Sequence, residues 1–266
     1  MMDDWEFSVL GMYNFNNHYK NKLNKREYFE FIKNNYDKLS GDILEVGVFN
    51  GGSLLSTALL LKELNSDKKV YGFDSFSGFG NSYHNNDELE QFGILFKENK
   101  ITESHYSDIK KNLELRKLVL SSQINKENIS NSKDFSSVNL ELLESKIDYL
   151  GLDNIVLVKG FYEETMNITK FDDLKFMCCL MDCDLYQSHK LALKFLWPKL
   201  IKSGYIYFDD YYSLKFPGSR IAVNEFFENK KQKPKSHIKE DNDFERWFVI
   251  KWKKNMLVLG FQNLKV

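Results

Sequence analysis

The chain has 266 residues, 37 Lys+Arg against 38 Asp+Glu for a formal net charge of −1, and 42% hydrophobic content. That length supports one large globular unit or two small ones, and the balanced charge excludes bulk neutralisation of nucleic-acid phosphates. Three cysteines, Cys178, Cys179 and Cys183, sit in one apolar stretch, which excludes a disulfide framework and predicts a reducing, cytoplasmic setting.

The chain begins Met-Met-Asp3-Asp4-Trp5-Glu6, acidic where a signal peptide is basic. Residues 5–39 carry Tyr28, Phe29, Phe31, Ile32 and Tyr36 at helical spacing and predict one or two helices. Asp42 to Val48 reads as a buried strand, broken by Asn50-Gly51-Gly52, and Ser53 to Leu64 as an apolar helix. Its apolar run, Leu54 to Leu61, is far short of the ~20 residues that span a bilayer. Lys69 to Asp74 is a second strand, completing a βαβ unit and hence a parallel α/β sheet.

Residues 80–137 interrupt the alternation with a polar insertion, helical near 88–99 and 106–120, of the kind used as a lid or binding element. A helix over 138–150, strands at Ile155–Lys159 and Phe176–Met181, a helix at Gln187–Leu200 and a strand at Tyr205–Phe208 resume it. A helix over Arg220–Asn229 then precedes two strands, Arg246–Trp252 and Met256–Phe261, joined by a hairpin turn at Lys253-Lys254-Asn255. Trp247, Phe248 and Trp252 are expected in the core.

Two groups of residues carry chemistry. The first is Glu45-Val46-Gly47-Val48-Phe49-Asn50-Gly51-Gly52-Ser53 between strand and helix, with Asp74 closing the next strand where a carboxylate can accept from ribose hydroxyls. The spacing is not Gly-x-Gly-x-x-Gly, so no pyrophosphate cradle is formed, and a nucleoside ligand such as S-adenosylmethionine fits better. The second group is acidic. Asp182 and Asp184 end one apolar strand on a common side, and Asp209 and Asp210 end the next. Four carboxylates at the ends of adjacent parallel strands call for a cation, and an all-oxygen donor set suits Mg²⁺ or another hard divalent ion. Asp209 and Asp210 reach one ion only if the backbone turns there. The cysteines lack zinc spacing and read as core. His189, on the helix after Asp184, reads equally as a solvated helix residue or a catalytic one.

With these segments the chain resembles class I S-adenosylmethionine-dependent methyltransferases, and within them the macrocin O-methyltransferase family, which methylates sugar hydroxyls. The likeness runs from about Gly41 to Phe227 apart from the insertion: Gly41 to Val48 with Gly51-Gly52-Ser53, Asp74 to Gly78, Val158 to Thr165, Asp182 to Ser188, Asp209-Asp210-Tyr211 and Gly218 to Val223. Phe79-Gly80 stands where the family pattern often has leucine-proline. The resemblance implies a Rossmann-like, mostly parallel seven-stranded sheet with a closing antiparallel hairpin and helices on both faces. It implies one domain over residues 1–266, with a helical segment at 1–39 and the insertion at 80–137. Glu45, Gly47, Phe49, Gly51, Ser53, Asp74, Ser75, Phe76, Gly160 and Asp182 are then expected around the methyl donor, and Asp182, Asp209 and Asp210 around the divalent ion. The base is Asp184 or Asp182. Tyr186, Tyr211 and Arg220 are expected on the acceptor side. The expected acceptor is a sugar or glycoside, nucleotide-linked or belonging to a surface polysaccharide, with no nucleic-acid partner, no transmembrane segment and a homodimer or higher homo-oligomer left open. Two rival readings are a metal-dependent glycosyltransferase using Asp-x-Asp and a non-catalytic nucleoside-binding module.

Overall fold

The computed structural model describes residues 2–15, 25–237 and 245–252. Five strands are parallel: β1 (Asp42–Val46), β2 (Val70–Asp74), β3 (Ile155–Lys159), β4 (Phe176–Met181) and β5 (Leu200–Phe208). Two antiparallel strands, β6 (Lys235–Ser236) and β7 (Trp247–Ile250), close the sheet, giving the order β3-β2-β1-β4-β5-β7-β6. The mostly parallel seven-stranded sheet is the expected one. Its antiparallel partner is not: β7 pairs with the two-residue β6, while the expected turn at 253–255 and strand at 256–261 lie outside the described residues.

The helices are α1 (Asp4–Leu10), α2 (Arg26–Asn35), α3 (Gly52–Glu63), α4 (Gln91–Lys97), α5 (Glu103–Leu120), α6 (Leu140–Leu150), α7 (Tyr162–Thr165), α8 (Tyr186–Lys199) and α9 (Gly218–Phe227). Period-2 alternation sorts the strand residues between two apolar layers. Ile43, Cys178, Leu180, Tyr205 and Tyr207 pack against Tyr28, Phe29 and Ile32 of α2, Leu55 and Ala58 of α3 and Leu143 of α6. Leu44, Val46, Cys179, Met181, Ile206 and Phe208 face Leu193 and Leu196 of α8 and Val223 and Phe227 of α9. Cys178 and Cys179 therefore lie on opposite faces, both fully buried, as core residues. Trp247 and Phe248 pack against the two layers, but Trp252 is 44% exposed and outside the core.

The insertion is docked on the sheet domain through two small apolar clusters, Phe92, Leu95, Ile101 and Ile109 against Leu214 and Ile221 and Ile129 against Leu185 and Phe216, and through buried polar groups. The Asp87 carboxylate, fully buried, accepts from the backbone N–H of Tyr186 (2.9 Å) at the start of α8 and of His84 (2.9 Å). Gly218 makes room for it: a Cβ there would lie 1.9 Å from Asp87 Oδ1. Further on, α5 straps the loop after β5. His105 Nε2 meets the Ser213 carbonyl at 2.9 Å, its ring stacks on Tyr212 at 3.8 Å, and Asn112 donates to the Leu214 carbonyl at 2.9 Å. Burial holds His105 near pKa 4, so its ring is neutral at physiological pH. Ile129 completes the seam by packing with Leu185 and Phe216. The insertion thus braces the loops after β4 and β5.

Asp87→Ala leaves the buried Tyr186 N–H without an acceptor, at roughly 1–3 kcal/mol, and removes the bond to the N–H of the exposed His84. The variant is expected to lose about 2 kcal/mol or more of unfolding free energy in urea. Wild-type stability would show that the carboxylate does not hold the insertion in place.

Candidate active site

The register aligns the carboxyl ends of the central strands. Val46 pairs with Phe73 and Met181, and Met181 with Phe208, so Gly47, Asp74, Asp182 and Asp209 emerge along one edge. Strand order reverses between β1 and β4, where parallel sheets leave a crevice. A cavity of about 430 Å³ occupies that crevice.

One side of the cavity is the glycine loop. Gly47 has φ 88, and a Cβ there would fall 1.7 Å from the Asp182 carbonyl oxygen, so β1 and β4 approach this closely only around glycine. Asp74 fixes the loop: its Oδ2 accepts from Val48 N–H (2.7 Å) and Phe49 N–H (2.9 Å), and its Oδ1 from Phe76 N–H (2.7 Å). Phe49 and Phe76 are left-handed at φ 50 each, a strained conformation that the Asp74 bonds hold. Helix α3 opens at Gly51 with no side-chain cap, so its first N–H groups remain free for a ligand, and Gly52 and Ser53 line the cavity. Ser53 Oγ donates to Glu45 Oε1 at 2.7 Å. Glu45 is fully buried one layer behind, its Oε2 has no hydrogen-bond partner, and burial raises its pKa to about 8.

The other side is acidic. β5 ends at Phe208 and the backbone turns helical at Asp209 (φ −68, ψ −41), which supplies the turn that the adjacent carboxylates required. Oxygens of Asp182, Asp209 and Asp210 lie within 4.8 Å of one another. Asp184, left-handed at φ 56, donates its N–H to Asp210 Oδ2 at 2.8 Å and lines the same cavity. Burial and then the neighbouring carboxylates raise Asp182 to about 6, Asp184 to about 7 and Asp210 well above the carboxylate range. Three carboxylates without nitrogen or sulfur donors suit a hard divalent cation, so these residues fit an ion such as Mg²⁺. Lys25 Nζ stands 3.0 Å from Asp182 Oδ2 and 2.8 Å from Asp209 Oδ1.

Gly47, Phe49, Ser53, Asp74, Ser75, Asp182, Asp184, Asp209 and Asp210 are thus brought together around one cavity. Glu45 stands behind it, and Gly51, Phe76 and Gly160 adjoin lining residues without lining it themselves. Tyr186, Tyr211 and Arg220, expected at the acceptor, lie elsewhere. Tyr186 donates to Glu225 (2.7 Å) and stacks on His84. Tyr211 donates to Asn224 (2.6 Å). Arg220 donates to the Tyr211 carbonyl (3.1 Å), with its guanidinium over the rings of Tyr211 and Trp247 at 4.2 and 5.2 Å. These three side chains brace α8, α9 and β7. His189 is neither solvated nor at the cavity: it is fully buried, neutral with a pKa near 4, and its Nδ1 contacts the Leu185 carbonyl at 3.0 Å.

Sequence reasoning missed the rest of the lining. Tyr13 and Lys25 come from the N-terminal segment, Phe79 directly precedes the insertion and Phe135 lies near its end, Phe161 and Tyr162 follow β3, and Lys215 follows β5. Among these, Phe161 and Tyr162 had a signal in their place directly after Gly160, and Phe79 in its departure from the family's leucine-proline.

Comparison with known proteins agrees with this geometry. The macrocin-O-methyltransferase (TylF) family pattern matches residues 24–114 and 120–247. Demethyldecarbamoylnovobiocin O-methyltransferase of Streptomyces niveus is 24% identical over 191 residues, 71% of this chain and 59% of its own length. The 8-demethyl-8-(2,3-dimethoxy-alpha-L-rhamnosyl)-tetracenomycin-C 4'-O-methyltransferase of Streptomyces olivaceus is 26% identical over 193 residues, again 71% and 59%. This chain therefore spans about three-fifths of the length of these curated relatives. The solved structure of the O-methyltransferase NovP has the same fold, with a TM-score of 0.58 and 20% identity over 86% of this chain and 78% of that one. Both strand-end acid pairs and the glycine loop fall inside the matched family pattern, and the chain belongs to the macrocin O-methyltransferase family.

Proposed function

We propose that this protein transfers the methyl group of S-adenosylmethionine to a hydroxyl of a sugar or glycoside. The observation that carries this reading is that the glycine loop after β1 and the acids after β4 and β5 line one cavity. A nucleoside donor on the first side therefore presents its sulfonium to an acceptor on the second. Asp74, at the end of β2, is the acceptor for ribose hydroxyls. The sugar acceptor is supported by the tetracenomycin relative, whose name specifies a rhamnosyl substrate. Lys215, in the lining beside the acids, favours an acceptor that carries phosphate, as a nucleotide-linked sugar does. The three free cysteines support a cytoplasmic setting.

The reaction is an in-line displacement. The acceptor oxygen attacks the methyl carbon, the S–CH₃ bond breaks as the O–CH₃ bond forms, and the hydroxyl proton passes to a carboxylate. Asp182 and Asp184 both line the cavity, and a carboxyl near pKa 6–7 is suited to accept a proton close to neutral pH. Asp182, Asp209 and Asp210 are the residues that would hold a divalent ion. When bound, such an ion favours the alkoxide form of a hydroxyl and orients it, each pKa unit being worth about 1.4 kcal/mol.

Incubating the protein with S-adenosylmethionine and a panel of nucleotide sugars and glycosides, with and without chelator, should give a product one methylene heavier that chelator suppresses. Asp182→Asn should lower turnover by roughly 10³-fold or more while changing donor affinity by less than about threefold. Full activity in that variant would contradict the assignment of Asp182. The buried Glu45 makes a separate prediction for the donor-free protein. Its carboxyl titrates near 4.5 when unfolded and near 8 when folded, so the folded state holds an extra proton between those values. Stability should therefore fall as pH rises through that window, by up to about 1.4 kcal/mol per pH unit for this group. Glu45→Gln should remove that share of the slope in urea titrations across pH, and an unchanged slope would contradict the protonated state.

A further inference from the structure

Lys25 is a buried cation inside the acid cluster. It directly precedes α2, in a left-handed conformation (φ 58), and is 3% exposed. Its Nζ bridges Asp182 and Asp209 at 3.0 and 2.8 Å and lies 5.3 Å from the centroid of the Tyr13 ring. Those two aspartates are two of the three carboxylates whose oxygens converge within 4.8 Å. The ammonium therefore sits against the oxygens that a divalent ion would need. Two cations sharing that space would repel each other strongly and compete for the same lone pairs.

We propose that Lys25 is a tethered competitor for the divalent ion, its ammonium taking the cation position between Asp182 and Asp209, so that metal enters only as the lysine withdraws. This rests on the reading of Asp182, Asp209 and Asp210 as metal-binding residues. The charge balance supports an exchange of cations. One ammonium, bridging Asp182 and Asp209, offsets one of four clustered acids. A divalent ion offsets more of the cluster than the lysine it displaces. The tether also couples this exchange to the cavity wall. Tyr13 and Gly11, from the same N-terminal segment, line the cavity, and Tyr13 N–H donates to Ser56 Oγ of α3 at 2.9 Å. Lysine withdrawal removes the ammonium from the Tyr13 ring, 5.3 Å away, a contact that helps hold this segment over the site.

The test is a Mn²⁺ titration of the full donor-free chain, followed by the paramagnetic resonance of free Mn²⁺, for the wild type, Lys25→Met and Lys25→Arg. Lys25→Met is expected to bind Mn²⁺ at least tenfold more tightly than wild type, whereas Lys25→Arg, which retains a cation, stays close to wild type. Equal or weaker binding by Lys25→Met, with the wild type still binding, overturns the competition and leaves the metal reading intact. No Mn²⁺ binding by any of the three proteins removes the metal reading, and the competition with it. Hydrogen exchange on the unaltered protein gives a readout that does not depend on the folding of a variant. Saturating Mn²⁺ should speed exchange over residues 2–15, including the Tyr13 amide, and unchanged exchange at full metal occupancy overturns the proposal.

Discussion

Four carboxylates held at the ends of two neighbouring strands are the constraint on which the rest of this structure depends. Asp182 and Asp184 follow β4, Asp209 and Asp210 follow β5, and the β4–β5 register puts Met181 beside Phe208, so the acids cannot spread apart. Their mutual repulsion has to be offset locally by protonation, by N–H donors or by a cation. All three appear here: Asp184 is raised to about 7, Asp210 accepts the Asp184 N–H, and Lys25 bridges Asp182 and Asp209. Such a cluster is costly for stability alone. Its place beside a glycine loop with free helix N–H groups gives it a chemical use.

The insertion contributes to this site indirectly. By composition it is a polar excursion, yet its buried groups anchor the two loops that carry the acids. Asp87 holds the start of α8, two residues after Asp184, and His105 with Asn112 holds Ser213 and Leu214, just after Asp210. A polar sequence can therefore brace a site when a few buried groups such as Asp87, His105 and Asn112 meet backbone partners and small apolar clusters pack beside them.

Much of the fold could be read from the sequence because strand parity and helix period are local properties. The opposite faces of Cys178 and Cys179 follow from spacing within a few residues, whereas β1 ends at Val46, two residues before its expected end, and β4 ends at Met181, so Asp182, Cys183 and Asp184 all line the cavity. What escaped is long-range or very short. The two residues of β6 are too few to carry a period, and Lys25 meets Asp209 across 184 positions with no motif to announce it. Tyr186 and Tyr211 lie within two residues of Asp184 and Asp210 in sequence but turn away, because a helix start or helical turn at each point sends neighbouring side chains in different directions, and Arg220 lies within α9 over the Tyr211 and Trp247 rings. Adjacency to an acid identified the loops but not which side chains face the cavity.

The proposed function requires the loops after β1 and β2 to hold a nucleoside donor without a pyrophosphate. Isothermal titration with S-adenosylhomocysteine, S-adenosylmethionine and a nucleoside diphosphate tests it most directly, with Asp74→Ala as the comparison. The account predicts one site for each S-adenosyl ligand, affinity lost in Asp74→Ala, and no comparable binding of the diphosphate. Tight diphosphate binding with no heat from either S-adenosyl ligand would contradict it and favour a glycosyltransferase.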